Sequence, residues 1–224
     1  DKDSLLIEEG IAVNSTASLD YSDAEVVKVL GNPTEGALLL WLKKAGVDYL
    51  NLRESAEVLE ELPFSTERKY MATIVKSSLF GGKTILYVKG APEIVSGLCK
   101  NIENNVSKTD IENQMVEYQD QAMRTLGFAY QIIDSKADVF KDGKVVADNL
   151  TFMGVVAISD PVRQDVPAAV AECMNAGINV KIVTGDTPGT AKEIGRQIGL
   201  WTAKNGDKNI ITGPEFAALS DEEL

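Results

Sequence analysis

Two short stretches hold the side chains best suited to chemistry: Lys89-Gly90-Ala91-Pro92-Glu93 and, ahead of it, Phe64-Ser65-Thr66-Glu67-Arg68-Lys69. An aromatic ring beside one ammonium, with a second ammonium delivered by a neighbouring strand, can seat a planar base that carries phosphates. The same residues also fit an interior phenylalanine flanked by solvated lysines. Gly90 lets the chain turn, and Pro92 suits the first turn of a helix whose positive dipole end would lie beside Glu93. Further on, Thr184-Gly185-Asp186 offers a hydroxyl and a glycine amide that can grip a phosphoryl oxygen at a strand-to-helix junction. That tripeptide equally makes an ordinary turn and N-cap.

These groups need elements to hold them. Residues 70–76 and 84–88 are apolar and β-branched or aromatic, and a loop with Gly81-Gly82 separates them, which predicts a β-hairpin. The second run lacks polar alternation, as expected of a strand covered on both faces. The polar run Ser65–Arg68, between strand-like 57–64 and a strand beginning at Lys69, predicts another hairpin. Its register would set Phe64 opposite Lys69, about 5 Å apart at Cβ. Asn32-Pro33-Thr34-Glu35 reads as a helix start, with asparagine as N-cap, Glu35 closing a capping box and Gly46 ending the helix. On spacing alone Glu35 is that cap. Residues 5–15 fit either a short helix or an edge strand. An amphipathic helix is expected over 108–124, with Ile111, Met115, Tyr118 and Ala122 on one side, then a strand over 124–133 and a turn at 141–144.

From Thr151 the texture changes to apolar strand 152–158, helix 167–176 ended by Gly177, strand 179–183, and helix 188–199. A third strand at Ile210-Ile211 and a helix from near Pro214 follow. That alternation predicts a parallel sheet. The expected organisation is a mostly antiparallel α+β part to about residue 157, then a parallel α/β part over 158–224 that is too short for a complete doubly wound domain. Asp160-Pro161-Val162-Arg163 would be a stiff joint or a plain loop.

Composition narrows the chemistry. A formal charge of −12 with no basic block argues against nucleic acid and anionic membrane surfaces as partners. The chain has no histidine, which excludes histidine triads and histidine-bound zinc. Cys99 and Cys173 stand alone, a pattern that fits a reducing compartment. No apolar run approaches the ~18 residues needed to span a bilayer, and no charged-then-apolar leader opens the chain, so a soluble piece is expected.

Six motifs in order carry a resemblance: Gly31-Asn32-Pro33-Thr34-Glu35 with Ala37-Leu38; Phe64-Ser65 with Arg68-Lys69; Lys89-Gly90-Ala91-Pro92-Glu93; Arg124-Thr125-Leu126; Asp160-Pro161-Val162-Arg163; and Thr184-Gly185-Asp186 with Thr190-Ala191. Over nearly its whole length the chain resembles the cytoplasmic region of P-type cation-transporting ATPases, most nearly the plasma-membrane calcium-pump branch. The resemblance implies an α+β nucleotide-binding domain over 1–157 and, over 158–224, a hinge with part of a haloacid-dehalogenase-like phosphorylation domain. It implies ATP as ligand, with magnesium in the intact pump. Phe64 would stack on adenine, Glu35 would lie near its exocyclic amine, and Lys69, Lys89 and Gly90 would line the pocket. Arg124 would reach the phosphates and Leu126 would sit beside the base. Thr184, Gly185 and Asp186 would belong to the phosphorylation domain, and Asp160–Arg163 to the hinge.

The chain also departs from the family pattern. Thr66 stands where several relatives carry a basic residue, so one phosphate contact is missing or is supplied by Arg68. The phosphorylated Asp-Lys-Thr-Gly-Thr is absent, and Asp1-Lys2-Asp3-Ser4 copies only its first two residues. The Gly-Asp-Gly-x-Asn-Asp motif and membrane helices are absent too. The expectation is a piece of a longer pump, on the cytoplasmic side of a membrane, that binds ATP without hydrolysing it. Its partners would be nucleotide and the remaining pump domains, without direct membrane contact. Self-association through an unpaired sheet edge, or disorder over 160–224, is expected. The alternatives are a free-standing haloacid-dehalogenase-type hydrolase, whose Asp-x-Asp-x-Thr loop the chain lacks, and a non-catalytic interaction module.

Overall fold

The computed structural model describes residues 2–23, 26–121, 123–134, 138–159, 162–185 and 188–220. Asp1, Ala122, Asp160, Pro161 and Asp186, which carry expectations above, lie outside the described residues. Internal contacts divide the chain into two compact units, one of Asp1–Met115 with Thr125–Ile158 and the other of Val116–Arg124 with Ser159–Leu224.

The first described element is helix α1 (Lys2–Val13), so the apolar stretch that begins at Leu5 is helical as far as Val13. Strands β1 (Ser18–Asp20) and β2 (Lys28–Leu30), helices α2 (Pro33–Lys44) and α3 (Tyr49–Glu54), and strands β3 (Ala56–Leu62), β4 (Tyr70–Ser77) and β5 (Lys83–Gly90) follow. Next come α4 (Pro92–Leu98), β6 (Asn101–Ile102), α5 (Lys108–Asp120), β7 (Arg124–Ile133), the small hairpin β8 (Phe140–Lys141) and β9 (Lys144–Val145), and β10 (Thr151–Ile158). The main sheet has the order β3-β4-β5-β7-β10-β6. Its β3-β4-β5-β7 part is antiparallel, while β10 and β6 run parallel.

Alternation along the strands makes two cores. On one face Ile85, Tyr87 and Val75 pack with Leu6 and Val13 of α1, and a neighbouring cluster joins α1, α2 and α3 through Ile11, Leu38, Leu39, Leu42 and Tyr49. On the other face Tyr70, Ala72, Ile74, Leu86 and Val88 pack with Val95 of α4 and with Ile111 and Met115 of α5. Strand β5 is therefore covered on both sides, as its unbroken apolar run predicts, and every residue after Lys83 is buried. Lys89 falls on the same face as Ile85 and Tyr87 by the two-residue period. The helix ends follow local chemistry too. Asn32 caps α2 by accepting from the Thr34 and Glu35 amides, and Gly46, at φ +79°, closes the other end with its amide on the Lys43 carbonyl.

The expected hairpin around residues 64–69 forms with a different register. Leu62 pairs with Ala72 and the ladder stops there, because Pro63 has no amide hydrogen to continue it. Residues 63–69 become a longer loop, Phe64 is not paired with Lys69, and Lys69 sits in the left-handed region at φ +59°. At the outer edge of the sheet β3 carries a bulge between Val58 and Glu60, and Glu57, Glu60 and Glu61 are exposed.

The second unit holds α6 (Val166–Asn175), α7 (Pro188–Gln197) and α8 (Gly213–Ala217). The expected strands at 179–183 and 210–211 are not formed, and Val183 is 97% exposed. A parallel strand exists only with a ladder neighbour, and among the described residues neither stretch has one. Among the described residues of this unit, Val170 and Ile198 are the buried large apolar side chains.

Candidate functional site

Lys89 arrives at the end of β5 with 4% of its surface exposed. A buried ammonium must find acceptors, and Lys89 Nζ donates to the Asn14 carbonyl at 2.6 Å and to Glu35 Oε1 at 2.7 Å. Burial pulls Lys89 below the ordinary lysine range, the charge and hydrogen bond of Glu35 oppose that, and the Arg53 guanidinium adds to it. Glu35 sits in the first turn of α2. Its Oε2 accepts from the Thr16 amide and hydroxyl, both at 2.9 Å, and from the Ala17 amide at 3.1 Å. Burial alone would raise the Glu35 carboxyl; the Lys89 ammonium and then the hydrogen bonds from Lys89 and Thr16 more than offset it, leaving the group below the usual carboxylate range. Glu35 therefore does not close a capping box with Asn32. Its carboxylate turns away from its own helix end, because a buried lysine and the Thr16 and Ala17 amides make a stronger demand than an N-cap backbone open to water.

Beside this pair opens a cavity of about 580 Å³, within the usual range for a small-molecule site. Its lining comes wholly from the first unit: Thr16, the α2 start with Asn32, Thr34 and Glu35, the 63–69 loop with Phe64, Thr66 and Lys69, Met71 and Lys89 of the sheet, Gly90-Ala91, and Thr125 with Leu126. The Phe64 ring is 58% exposed, which no core role requires. The loop that carries it is clamped at both ends. Lys69 donates its amide to the Ser65 carbonyl at 2.8 Å and accepts the Ala91 amide at 2.9 Å. Gly90 pairs with Tyr70 across the sheet, and a Cβ on Gly90 would stand 2.3 Å from the Lys69 carbonyl oxygen. The glycine is required by close approach of another backbone, since its own conformation is that of an ordinary strand residue.

Six of the residues singled out from sequence thus meet at one cavity: Glu35, Phe64, Lys69, Lys89, Gly90 and Leu126. Arg68 is not among the lining residues. Its Nη2 donates to the Pro63 carbonyl, its guanidinium lies 5.9 Å from the Tyr70 ring centre, and its buried Nε has no partner among the described residues. It braces the loop. Arg124, the exposed first residue of β7, and Thr184 and Gly185 belong to the second unit, and Asp186 lies outside the described residues.

The family model described as P-type ATPase, cytoplasmic domain N, matches residues 4–165. The chain belongs to that family. Among curated proteins it is 36% identical over 98% of its length to a calcium-transporting ATPase of Dictyostelium discoideum. It is 34% identical over 92% of its length to calcium-transporting ATPase 1 of Lactococcus lactis, and 31% identical over 97% to a plasma membrane-type calcium-transporting ATPase of Arabidopsis thaliana. The chain spans about a fifth of the length of these relatives, 20%, 23% and 22% respectively. Among the described residues no helix is long and apolar enough to cross a membrane.

Within this domain N, sequence reasoning missed the segment that holds the Lys89–Glu35 pair. Asn14 is buried and accepts the Thr73 hydroxyl at 2.9 Å, Thr16 lines the cavity, and Arg53 holds the same segment from α3. The cluster Asn14-Ser15-Thr16 behind an apolar helix signals a capped helix end, but nothing in its spacing shows what it faces.

Proposed function

We propose that this chain is the ATP-binding cytoplasmic region of an ATP-driven cation pump, with calcium as the transported ion. The observation that carries the reading is the joining of an exposed aromatic ring, Phe64, with Lys69 and Lys89 around one cavity in a chain of the domain N family. The residues present fit a nucleotide. Phe64 offers a face for the base, Leu126 and Met71 offer apolar walls, Lys89 offers a fixed donor, and Lys69 at the rim offers a charge for phosphate. Bound ATP would supply the transferable phosphoryl group, with magnesium on its phosphates. The chain's own part is to hold the purine, screen it from water and present the γ-phosphate to an aspartate outside this sequence. Residues 1–157 would be the nucleotide-binding domain, and 158–224 a hinge and part of the phosphorylation domain, including Thr184, Gly185 and Asp186. Arg124 would reach the phosphates, and Arg68, outside the cavity lining, would brace the loop.

One base stack and a few screened charge contacts, less the cost of association, give a dissociation constant of about 0.1–1 mM. Titration with ATP should shift the amide signals of Gly90 and residues 64–69. An unchanged spectrum at several millimolar ATP would refute the reading.

A further inference from the structure

Arg53 lies near the end of α3 and does not line the cavity, yet its guanidinium is committed to the segment that carries Thr16 into the cavity lining and holds the Lys89–Glu35 pair. Nε donates to the Ala12 carbonyl at 2.7 Å, and Nη2 donates to the Ser15 and Ala17 carbonyls at 3.2 and 2.8 Å. The guanidinium stacks 4.9 Å from the centre of the Tyr49 ring, whose hydroxyl accepts the Leu19 amide at 2.9 Å, just beyond the same segment. Only arginine offers a rigid planar fork able to gather several carbonyls at once. The carbonyls of this short segment turn to Arg53 and its amides turn to Glu35 Oε2, while the carbonyl of Asn14, between them, takes Lys89.

We propose that Arg53 is a positioning residue for the cavity: it fixes residues 12–17 by their carbonyls, and that segment fixes the Glu35 carboxylate and the Lys89 ammonium that face the ligand. The identity of the ligand rests on the nucleotide reading above; the mechanical chain from Arg53 to Lys89 does not. Without the fork, three carbonyls, those of Ala12 and Ala17 on fully buried residues, lose their donor and the segment relaxes toward water. Asn14 and Thr16 then leave the places from which they hold the Lys89–Glu35 pair.

The test uses the 224-residue chain and the variants Arg53→Met, Arg53→Lys, Glu35→Gln and the Arg53→Met/Glu35→Gln double. Arg53→Met should weaken ATP binding about tenfold, the scale of one lost charge-assisted hydrogen bond, and Arg53→Lys should fall between it and the parent. If Arg53 acts through Glu35 and Lys89, the double variant binds no more weakly than Glu35→Gln alone. Parent-like ATP binding by Arg53→Met, or losses that multiply in the double variant, would reduce Arg53 to a tie between α1 and α3. Should Arg53→Met fail to fold, the same cycle built on Arg53→Lys decides. A second readout needs no nucleotide: the Lys89 ammonium, shielded and held by two acceptors, should give a slowly exchanging NMR signal in the parent that broadens in both Arg53 variants. An unchanged signal overturns the proposal, and silence toward ATP in the parent itself defeats the nucleotide reading while leaving this arm to judge Arg53.

Discussion

Phe64 and the Lys89–Glu35 pair form two sides of one cavity on different physical terms. The ring gives up contact with water only when something stacks on it, so Phe64→Ala should weaken ATP binding by about 1–3 kcal/mol, roughly 5- to 150-fold. The melting temperature should stay near the parent's, because the ring is already largely exposed; calorimetry on the free and titrated variant reads both. The ion pair is a folding matter first. Glu35→Ala would leave a buried ammonium without its counter-charge, and breaking such pairs costs about 3–5 kcal/mol, readable as a lower urea midpoint. Glu35→Gln separates charge from shape. The Glu35 carboxyl titrates below its ordinary value of 4.5 when folded. It therefore adds stability that is complete above that value and fades as pH falls through the lower folded one. Unfolding midpoints measured from pH 7 down to 3 should drop less steeply in Glu35→Gln than in the parent.

At the scale of elements, the site depends on two backbones touching where β5 ends and the 63–69 loop returns. Gly90→Ala would push a methyl group into the Lys69 carbonyl and Tyr70, and overpacking of this kind costs roughly 1–3 kcal/mol. Urea unfolding should show that loss, and ATP affinity should fall with it as the loop lifts from Ala91. The strands β4, β5, β7 and β10 were legible in sequence because each is a continuous apolar run, and α2 because asparagine, proline and glycine punctuate it. The loop was not. Its course depends on a proline that ends a ladder and on a lysine in a left-handed conformation, and neither announces a register. The partners of Glu35 were hidden for another reason: they stand 19 and 54 residues away in sequence, while its local spacing gave a complete account as a cap. Arg53 was illegible because its three acceptors are main-chain carbonyls, which every residue has.

Taken whole, the molecule is unevenly built. The first unit holds nearly all the buried apolar side chains, whereas the second contributes Val170 and Ile198 among the described residues. Local stability follows buried contact, so amides of β4 and β5 should exchange with deuterium slowest and those of α6 and α7 far sooner. Equal protection in α6 and β5 would contradict this. The same imbalance explains why the expected strands at 179–183 and 210–211 are not formed although helices α6 and α7 are: an apolar stretch states a preference for strand, and only a neighbour with matching amides makes it one. The outer strand β3 has the opposite character. It is a formed strand with a free side, kinked by its bulge and lined with exposed glutamates. A second molecule approaching sideways would meet mismatched spacing and repelling carboxylates, so this edge of the sheet is self-limiting. Concentrated solutions should keep these chains from zipping into ribbons along that rim.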